Sequence, residues 1–351
     1  MAIRVISSDE RQSRRLQMSV AQRVTRRFRS AARRARRHVP GTVRRYAISF
    51  GARNAARVTF NTGCIMSYVN SRSLNAKQDQ LFAILRAMGR VMVAYSGGTD
   101  SAYLAWAAGK VLGGDALAIT ADSASIPESH KRDAEDFVKR FMLRHQYINT
   151  YEFENEEYVK NDSNRCFHCK DELFTRLKEI GDKLGYENIV YGVNVDDTSD
   201  FRPGHRAAKD HGVRAPLLEA RLTKAEIREL SKNAGLPTWD RPAAACLSSR
   251  IPYGTKVTRE NVRLVEQGEE ALKQLGFRVY RVRYHGELVR IEVGKDELAR
   301  ALDPTMAARL TEDFRAIGFR YVTLDLEGYR QGSLNEVLPS AQTKQILPVL
   351  S

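Results

Sequence analysis

The sequence predicts an α/β protein with a doubly wound, mostly parallel sheet, followed by a smaller α+β domain at the carboxyl end. Three observations predict this architecture. Short apolar segments alternate with helix-patterned segments from Lys77 to about residue 255, which is the pattern of parallel βαβ units. A glycine turn joins the apolar segment 90–95 to a helix over 101–112. After Val257 the order becomes helix, strand, strand, helix, strand, which indicates a separate small domain.

The first elements of the predicted sheet follow from the spacing of apolar residues. Leu81, Leu85 and Met88 recur at helical spacing, and the pattern ends at Gly89, a residue that suits a helix terminus. Short continuous apolar runs then mark buried strands, as expected for a parallel sheet. The predicted segments are strand 90–95, helix 101–112, strand 116–121, helix 128–144 and a strand near 147–153.

The later elements are marked by caps and turns as well as by apolar spacing. Thr223 with Glu226 three residues later has the pattern of a capping box, so a helix should begin there and end near Gly235. The other predicted segments are a helix that follows segment 164–170 and runs to about Leu184, strand 188–197, helix 260–275, strands 278–284 and 288–293, a mostly helical segment 296–317 and strand 319–326.

The positive charge of the chain is concentrated at its amino end. The whole sequence has 57 Lys and Arg against 42 Asp and Glu, a formal net charge of +15. Residues 1–76 contain 17 Arg, no Lys and two acidic residues, which accounts for the entire excess. A strongly basic balance usually indicates a nucleic-acid partner. Because the rest of the chain is neutral, nucleic acid is not expected to bind the folded part.

Residues 1–76 are expected to be an Arg-rich disordered extension, because they have few large apolar residues with which to form a core. A nucleic-acid tail and an organellar transit peptide are the functional alternatives. A chain that begins at Met66 is expected to keep full activity. The predicted domains are then 77–255 around the parallel sheet, and 256–345, a small α+β domain for substrate binding or oligomerisation.

Cellular location is judged from features that the sequence lacks. No apolar run of about 18 residues could cross a membrane, and the amino terminus has no apolar core of a secretory signal. The four cysteines are then expected to be reduced thiols with metal or catalytic roles; they are Cys64, Cys166, Cys169 and Cys246. We expect a cytoplasmic enzyme that assembles as a homo-oligomer.

The loop between the first strand and its helix has the sequence Ser96-Gly-Gly-Thr-Asp-Ser101. Gly97 and Gly98 let backbone N–H groups close around an anion, and the helix start directs further N–H groups to the same point. The hydroxyls of Ser96 and Ser101 add donors, and Asp100 could hold a Mg²⁺ that neutralises phosphate charge. The loop is neither a Walker A nor a dinucleotide-binding turn. It resembles the PP-loop of ATP pyrophosphatases, which adenylate a substrate and release pyrophosphate.

Further candidates for ATP contacts lie where the predicted strands end. Parallel strands end at one edge of the sheet, where open α/β sheets bind ligands. Asp122 and Ser123 follow the second strand, and Asp197 closes the strand that begins at Asn188. An ordinary turn role is the alternative for these residues. The predicted ATP-binding residues are Ala94, Ser96, Gly97, Gly98, Asp100, Ser101, Asp122, Ser123, Gly192, Asn194 and Asp197, with Asp100 also as the Mg²⁺ ligand.

Three of the cysteines form a candidate metal site. Cys166 and Cys169 share one C-x-x-C turn, and Cys246 follows 77 residues later in an irregular loop. A structural zinc site requires four ligands, so His168 or Cys64 would have to join them. Three cysteines instead suit a [4Fe–4S] cluster with one iron open to another ligand. A redox pair or inert buried thiols remain the alternative on spacing alone.

Several segments together resemble the LarE family of ATP-dependent sulfur transferases. They are 96–101, 191–197, 202–204, 246–254, 281–283 and 318–328, and the most specific include Cys246-Leu-Ser-Ser-Arg-Ile-Pro-Tyr-Gly254. The resemblance covers about 77 to 340. It implies that ATP adenylates a carboxylate of a pyridinium-3,5-biscarboxylic acid mononucleotide and that sulfur then replaces AMP. The thiocarboxylate formed would serve the nickel-pincer nucleotide cofactor of lactate racemase.

The resemblance also implies roles for the cysteines. Family members with only the cysteine at the position of Cys246 sacrifice its sulfur and are left with dehydroalanine. Members that also have the C-x-x-C pair bind a [4Fe–4S] cluster through all three cysteines and transfer sulfide from its open iron. Cys246 would then be catalytic, Cys166 and Cys169 would be cluster ligands with it, and a sulfide donor would be required as a partner.

Four residues are expected to bind the phosphate of the substrate. Ser249 and Arg250 stand close to Cys246 in the same loop. Arg281 and Arg283 alternate along a predicted strand, so their guanidiniums share one face, where they could bind phosphate or carboxylate groups. A solvated strand face is the alternative for this arginine pair.

Three other functions are compatible with parts of the sequence. A tRNA 2-thiolation enzyme also combines a PP-loop with cysteines, but it would require a basic surface on the folded part. An ammonia-dependent synthetase of the NAD synthase type would not require the cysteine trio. An ATP-binding or Fe–S scaffold protein with a degenerate site would release no pyrophosphate.

Overall fold

The structure is a computed structural model, and it describes residues 62–199, 203–242, 245–330 and 332–334. All of these belong to the compact unit that begins at Thr62. The expectations for residues 1–61, including their disorder, therefore lie outside the described residues.

A four-stranded parallel sheet forms the centre of the first half. Its strands are β1 (Val91–Ala94), β2 (Ala116–Asp122), β3 (His145–Asn149) and β4 (Asn188–Tyr191). They lie in the order β3-β2-β1-β4, and every neighbouring pair is parallel. The chain therefore runs from β1 outward to β3 and then returns to the other side of β1. This confirms the doubly wound arrangement that the sequence predicted.

Helices cover both faces of this sheet. They are α1 (Thr62–Met88), α2 (Thr99–Leu112), α3 (Glu128–Arg140), α4 (Glu156–Val159), α5 (Arg165–Leu184), α6 (Gly204–Asp210), α7 (Pro216–Glu219) and α8 (Lys224–Asn233). Val91 and Val93 of β1 lie in one core and Met92 lies in the other, as the strand pleat requires. Burial on both faces explains why these strands are continuous apolar runs. Across the described part of the chain, no helix has the length and apolar character needed to cross a membrane.

The first helix begins earlier than the sequence predicted. The apolar pattern placed the start of the folded part at Lys77, but α1 starts at Thr62. Leu74 is 5% exposed and belongs to the same core as Leu81 and Leu85. A leucine at this spacing extends the buried face of the helix by two turns, so the folded part begins upstream of the boundary that was predicted at residue 77.

A three-stranded sheet forms the carboxyl-terminal part. β5 (Tyr280–His285) and β6 (Leu288–Val293) pair as an antiparallel hairpin, and β7 (Tyr321–Leu324) lies parallel to β6. Gly286 in the hairpin turn has a φ of 70°. Glycine adopts this conformation without strain because it has no Cβ atom. The hairpin follows the sequence prediction.

Helices α9 (Arg259–Gln274), α10 (Leu298–Ala301) and α11 (Pro304–Ile317) accompany this sheet. The predicted helical segment 296–317 is divided because proline cannot continue a helix but suits its first turn. Asp303 caps α11 by accepting from the N–H groups that follow Pro304. The result is the small α+β arrangement that the sequence indicated.

Two strands end sooner than predicted. The strand expected to reach residue 153 ends at Asn149, and Glu152–Glu154 forms a short 3₁₀ turn. The strand expected to reach Asp197 ends at Tyr191, and Val195–Ser199 forms another 3₁₀ turn. Both changes place polar residues in loops at the carboxyl edge of the parallel sheet.

Candidate active site

The glycine-rich loop after β1 closes on the start of α2. Gly97 has a φ of 75°, and Gly98 is the extended residue that precedes the helix. The N–H of Ser96 donates to Oγ of Ser101 at 3.2 Å, and the two hydroxyl oxygens lie 3.0 Å apart. The first N–H groups of α2 have no partners within the helix, so this loop can bind an anion such as a phosphate.

The end of β4 packs directly on this helix start. A Cβ atom on Gly192 would lie 2.7 Å from the backbone nitrogen of Ser101, so a side chain would not fit there. The N–H of Asn194 donates to Oδ2 of Asp197 at 3.1 Å, and the N–H of Asp197 donates to Oδ1 of Asn194 at 3.3 Å. The strand order reverses between β1 and β4, which is the position where open α/β sheets bind ligands.

Asp100, in the first turn of α2, has one paired and one open oxygen. Its Oδ2 accepts from Nζ of Lys224 at 2.5 Å. Its Oδ1 is buried and accepts no hydrogen bond of good geometry among the described residues. Burial raises the pKa of Asp100 above its ordinary value, while Lys224 and, more weakly, the Asn194 amide oppose this rise. A carboxylate with an open oxygen fits a hard cation such as Mg²⁺.

The residues at the end of β2 make hydrogen bonds to side chains of the neighbouring segments. Oδ1 of Asp122 accepts from Nζ of Lys131 at 2.5 Å. The hydroxyl of Ser123 donates to Oε1 of Glu152, which also accepts from Ser125 at 3.2 Å. Glu152 is buried, and its Oε2 has no hydrogen-bond partner among the described residues. Asp122 and Ser123 thus have structural contacts, and their expected contacts with ATP stay predictions. The expected ATP contact of Ala94, which is half-buried at the end of β1, also stays a prediction.

The three cysteines come from two segments of the fold. Cys166 and Cys169 lie near the start of α5, with Cys166 exposed, and Cys246 precedes the 3₁₀ turn Leu247–Arg250. Burial chiefly raises the pKa of Cys169, and the charges of Glu152, Cys246 and Cys166 add to the rise. Within the described ranges, no three Cys, His, Asp or Glu side chains stand in a metal-binding arrangement. The fit to a three-cysteine cluster therefore rests on the chemistry of the donors.

Two buried side chains hold the loop that carries the third cysteine. Nη1 of Arg165 donates to the carbonyl oxygen of Ser248 at 2.8 Å. Nδ2 of Asn161 donates to the carbonyl oxygens of Pro252 and Thr255 at 2.8 and 2.7 Å. Burial strengthens such hydrogen bonds because water does not compete for the donors. They fix the loop of the third cysteine against the helix of the other two.

The same loop is attached to the first sheet. The N–H of Leu247 donates to the carbonyl oxygen of Ser125 at 2.8 Å, and Ser125 comes shortly after the end of β2. The hydroxyl oxygens of Tyr158 and Ser248 lie 2.7 Å apart in the interior. Cys246 therefore lies at the carboxyl edge of the parallel sheet, where the glycine-rich loop also lies.

Arg250 supports the turn that follows Cys246. Its Nε and Nη2 donate to the two oxygens of Glu269 at 2.8 and 3.1 Å. Its Nη1 donates to the carbonyl oxygen of Cys246 at 3.0 Å and to Oγ of Ser249 at 2.9 Å. Most N–H groups of Arg250 are thus bonded to protein atoms. Ser249 and Arg250 thus have a structural role in this turn. Their expected binding of the substrate phosphate stays a prediction.

The two arginines of β5 are at least partly buried. Arg283 donates to Glu292 at 2.8 Å, and the Glu292 side chain is fully buried. The guanidinium carbon of Arg281 lies 4.9 Å from the ring centre of Tyr329. Burial, and then the charge of Arg250, lower the pKa of Arg281. Arg283 is thus already paired within the protein, and the expected binding of substrate phosphate by Arg281 and Arg283 stays a prediction.

Sequence reasoning missed the side chains that hold the cysteine loop in place. They are Tyr158, Asn161, Arg165 and Glu269. Position beside the C-x-x-C pair is the one signal that could have indicated Arg165. The others resemble ordinary helix or turn residues, because the groups they contact are distant in the sequence.

Comparison with known proteins gives the family. No protein-family model matches the chain. The chain is 34% identical over 276 residues to the pyridinium-3,5-bisthiocarboxylic acid mononucleotide synthase of Lactiplantibacillus plantarum, an alignment that covers 77% of this chain and 98% of that protein. The chain belongs to the LarE family.

Two further relatives match this LarE-family chain over a similar extent. An uncharacterized protein of Synechocystis is 42% identical over 265 residues, covering 76% of the chain and 99% of the relative. An uncharacterized protein of Methanocaldococcus jannaschii is 28% identical over 243 residues, covering 69% and 91%. The match to the enzyme of Lactiplantibacillus plantarum confirms the family resemblance found in the sequence, and the chain is an enzyme of the transferase class.

Proposed function

We propose that this LarE-family enzyme is an ATP-dependent sulfurtransferase that converts a carboxylate of a pyridinium mononucleotide into a thiocarboxylate, in biosynthesis of the nickel-pincer nucleotide cofactor. The relative in Lactiplantibacillus plantarum is named for the bisthiocarboxylic acid mononucleotide. The observation that carries the proposal is the hydrogen bond from Leu247 to Ser125, because it attaches the Cys246 loop to the sheet edge that bears the glycine-rich loop.

The first half-reaction activates the carboxylate. One of its oxygens attacks the α-phosphorus of ATP, and the bond between the α-phosphorus and the bridging oxygen to the β-phosphate breaks. The N–H groups at the start of α2 and the hydroxyls of Ser96 and Ser101 would hold the departing pyrophosphate. Asp100 would hold Mg²⁺, which offsets negative charge on the phosphates when bound. The products are an acyl adenylate and pyrophosphate.

The second half-reaction introduces sulfur. A sulfur nucleophile attacks the carbonyl carbon of the adenylate, and AMP leaves with the electron pair of the carbon–oxygen bond. Sulfur is a far better nucleophile than water near neutral pH. Cys166, Cys169 and Cys246 would hold a [4Fe–4S] cluster, whose iron without a protein ligand would supply the sulfide. Ser249, Arg250 and the arginines of β5, Arg281 and Arg283, would orient the substrate phosphate.

The competing versions differ in the source of sulfur or in the acceptor. If Cys246 gives up its own sulfur, each chain turns over once and keeps a dehydroalanine. A tRNA acceptor is less well supported, because the chain after residue 76 has no net charge. An ammonia-dependent synthetase would have no use for the three cysteines. A cytoplasmic location, a homo-oligomer and an external sulfide donor stay predictions.

The test uses the anaerobically purified full chain with ATP, Mg²⁺, sulfide and pyridinium-3,5-biscarboxylic acid mononucleotide. We expect AMP, pyrophosphate and thiocarboxylate to form in equal amounts over many turnovers. Cys246→Ala should still release pyrophosphate but form no thiocarboxylate, since adenylation does not require sulfur. Cys64→Ala removes a cysteine outside the proposed trio and should retain both products.

Two results would decide against parts of the proposal. Cleavage of ATP to ADP and orthophosphate, or unchanged thiocarboxylate formation by Cys246→Ala, would overturn it as a whole. A single turnover, with loss of the elements of H₂S from the mass of the chain, would assign the transferred sulfur to Cys246 itself.

A further inference from the structure

Lys224 contacts the carboxylate that is expected to bind the metal. It is the first residue of α8, and its Nζ lies 2.5 Å from Oδ2 of Asp100. The Lys224 side chain is 35% exposed and that of Asp100 is 17% exposed. The Lys224 side chain is therefore more accessible to solvent than the carboxylate it contacts.

The surroundings of this ion pair are negatively charged. The backbone N–H of Lys224 donates to Oδ2 of Asp196 at 2.6 Å, and the charge of Asp197 acts on Asp100. Oδ1 of Asp100 has no hydrogen-bond partner among the described residues. Negative charge near Asp100 favours a cation beside it, and Lys224 provides that cation.

The fold does not depend on this ion pair for its stability. The start of α8 is already capped, because Thr223 and Glu226 form a complete capping box. Glu226 is also bound by Lys77 at 2.7 Å. A partly exposed ion pair such as that of Lys224 contributes little to stability, so the contact with Asp100 requires another explanation.

We propose that Lys224 is an exchangeable counter-ion of the Mg²⁺ site, which neutralises Asp100 before nucleotide binds and moves to a phosphate oxygen of ATP when Mg²⁺ takes its place. This inference rests on the proposed function, because it requires ATP at the glycine-rich loop. The exchange leaves a cation at both positions: Mg²⁺ takes the place of the ammonium at Asp100, and the ammonium moves to the anionic triphosphate. Lysine suits such a role because its charge is carried on a flexible stem.

The test compares Lys224→Met with the matched variant Lys77→Met, which removes a lysine that pairs with the same helix but does not contact Asp100. The first probe is Mn²⁺ without nucleotide, followed by electron paramagnetic resonance. We expect Lys224→Met to bind Mn²⁺ about tenfold or more tightly than the unchanged protein, because the competing ammonium is gone. The second probe is a non-hydrolysable ATP analogue with Mg²⁺, followed by calorimetry, and we expect about tenfold weaker binding because a phosphate contact is lost.

Two further variants make the outcome decisive. Lys224→Arg keeps the charge and should retain analogue binding within about threefold of the unchanged protein. Adding Asp100→Asn to Lys224→Met should abolish the tight Mn²⁺ binding, since the ligand oxygen is removed. Lys77→Met should leave both affinities within about twofold of the unchanged protein.

The inference is supported if Lys224→Met binds Mn²⁺ more tightly and the ATP analogue more weakly than the unchanged protein, while Lys77→Met shows neither change. Equal behaviour of Lys224→Met and Lys77→Met would overturn it while the proposed function stands, as would tight Mn²⁺ binding that survives Asp100→Asn. If the unchanged protein does not bind the ATP analogue at all, the proposed function itself fails. Circular dichroism of each variant verifies that the fold is retained.

Discussion

The guanidinium of Arg250 binds both carboxylate oxygens of Glu269, with Nε–Oε1 and Nη2–Oε2 distances of 2.8 and 3.1 Å. The two side chains are 3% and 12% exposed, so this ion pair is almost entirely shielded from water. It joins the turn after Cys246 to α9, a helix of the carboxyl-terminal part. The position of Cys246 therefore depends on a helix that belongs to the other half of the protein.

Removal of one partner of this pair should destabilise the protein strongly. Glu269→Gln or Arg250→Met leaves a buried charge without its counter-ion, which costs about 3–5 kcal/mol. Urea denaturation should give a correspondingly lower free energy of unfolding, and the double variant should lose less than the sum of the two single losses. Arg278→Met, which breaks the exposed pair with Asp296, is the control and should stay within about 1 kcal/mol of the unchanged protein.

A side chain at Gly192 should impair both folding and ATP binding. The Cβ atom of Gly192→Ala would meet backbone atoms of Ser101 at 2.7 and 2.9 Å, and backbone cannot move aside as a flexible side chain can. We expect a loss of about 1–3 kcal/mol in the free energy of unfolding, with weaker binding of an ATP analogue in calorimetry. Gly114→Ala, where no atom lies within 4 Å of the added Cβ, should change neither quantity. Equal stability of the two variants would contradict the close packing of β4 on α2.

The raised pKa of Asp100 predicts a particular pH dependence of stability. Burial is its main cause, and the folded protein consequently binds this proton more tightly than the unfolded chain. The stabilising contribution is complete below the ordinary aspartate pKa of about 3.9 and is lost as pH rises through the higher pKa of the folded protein.

The variant Asp100→Asn lacks this titration and serves as the reference. The difference in free energy of unfolding, unchanged protein minus Asp100→Asn, should fall as pH rises across that window. Urea denaturation at several pH values measures it. A difference that rises with pH would show that Lys224, rather than burial, dominates the pKa of Asp100.

Metal analysis should distinguish the cluster from zinc. Anaerobically purified protein should contain about four iron atoms per chain and absorb broadly in the visible range. Each of Cys166→Ala, Cys169→Ala and Cys246→Ala should lose iron and colour together, whereas Cys64→Ala should keep both. Stoichiometric zinc in a colourless protein, with zinc lost in Cys64→Ala, would contradict the cluster and favour a four-cysteine zinc site.

The parts of the fold that depend on residues close together in the sequence could be predicted from the sequence. The capping box of Thr223 and Glu226 is present as expected, because its hydrogen bonds span only three residues. The turn at Gly97 and Gly98 is equally local. Element ends were less predictable: the strand after Asn188 stops at Tyr191 because the following polar residues bond to one another in a 3₁₀ turn.

The sequence by itself determined the alternation of strands and helices, the glycine-rich turn and the inventory of cysteines, since each depends on residue types at short spacing. Only the tertiary structure decided which side chains hold Cys246 in place. The hydrogen bond from Arg165 to Ser248 spans 83 positions and that between Tyr158 and Ser248 spans 90. Such contacts form only when packing brings distant segments together, and the energy of that packing is distributed over the whole core rather than encoded beside the residues concerned.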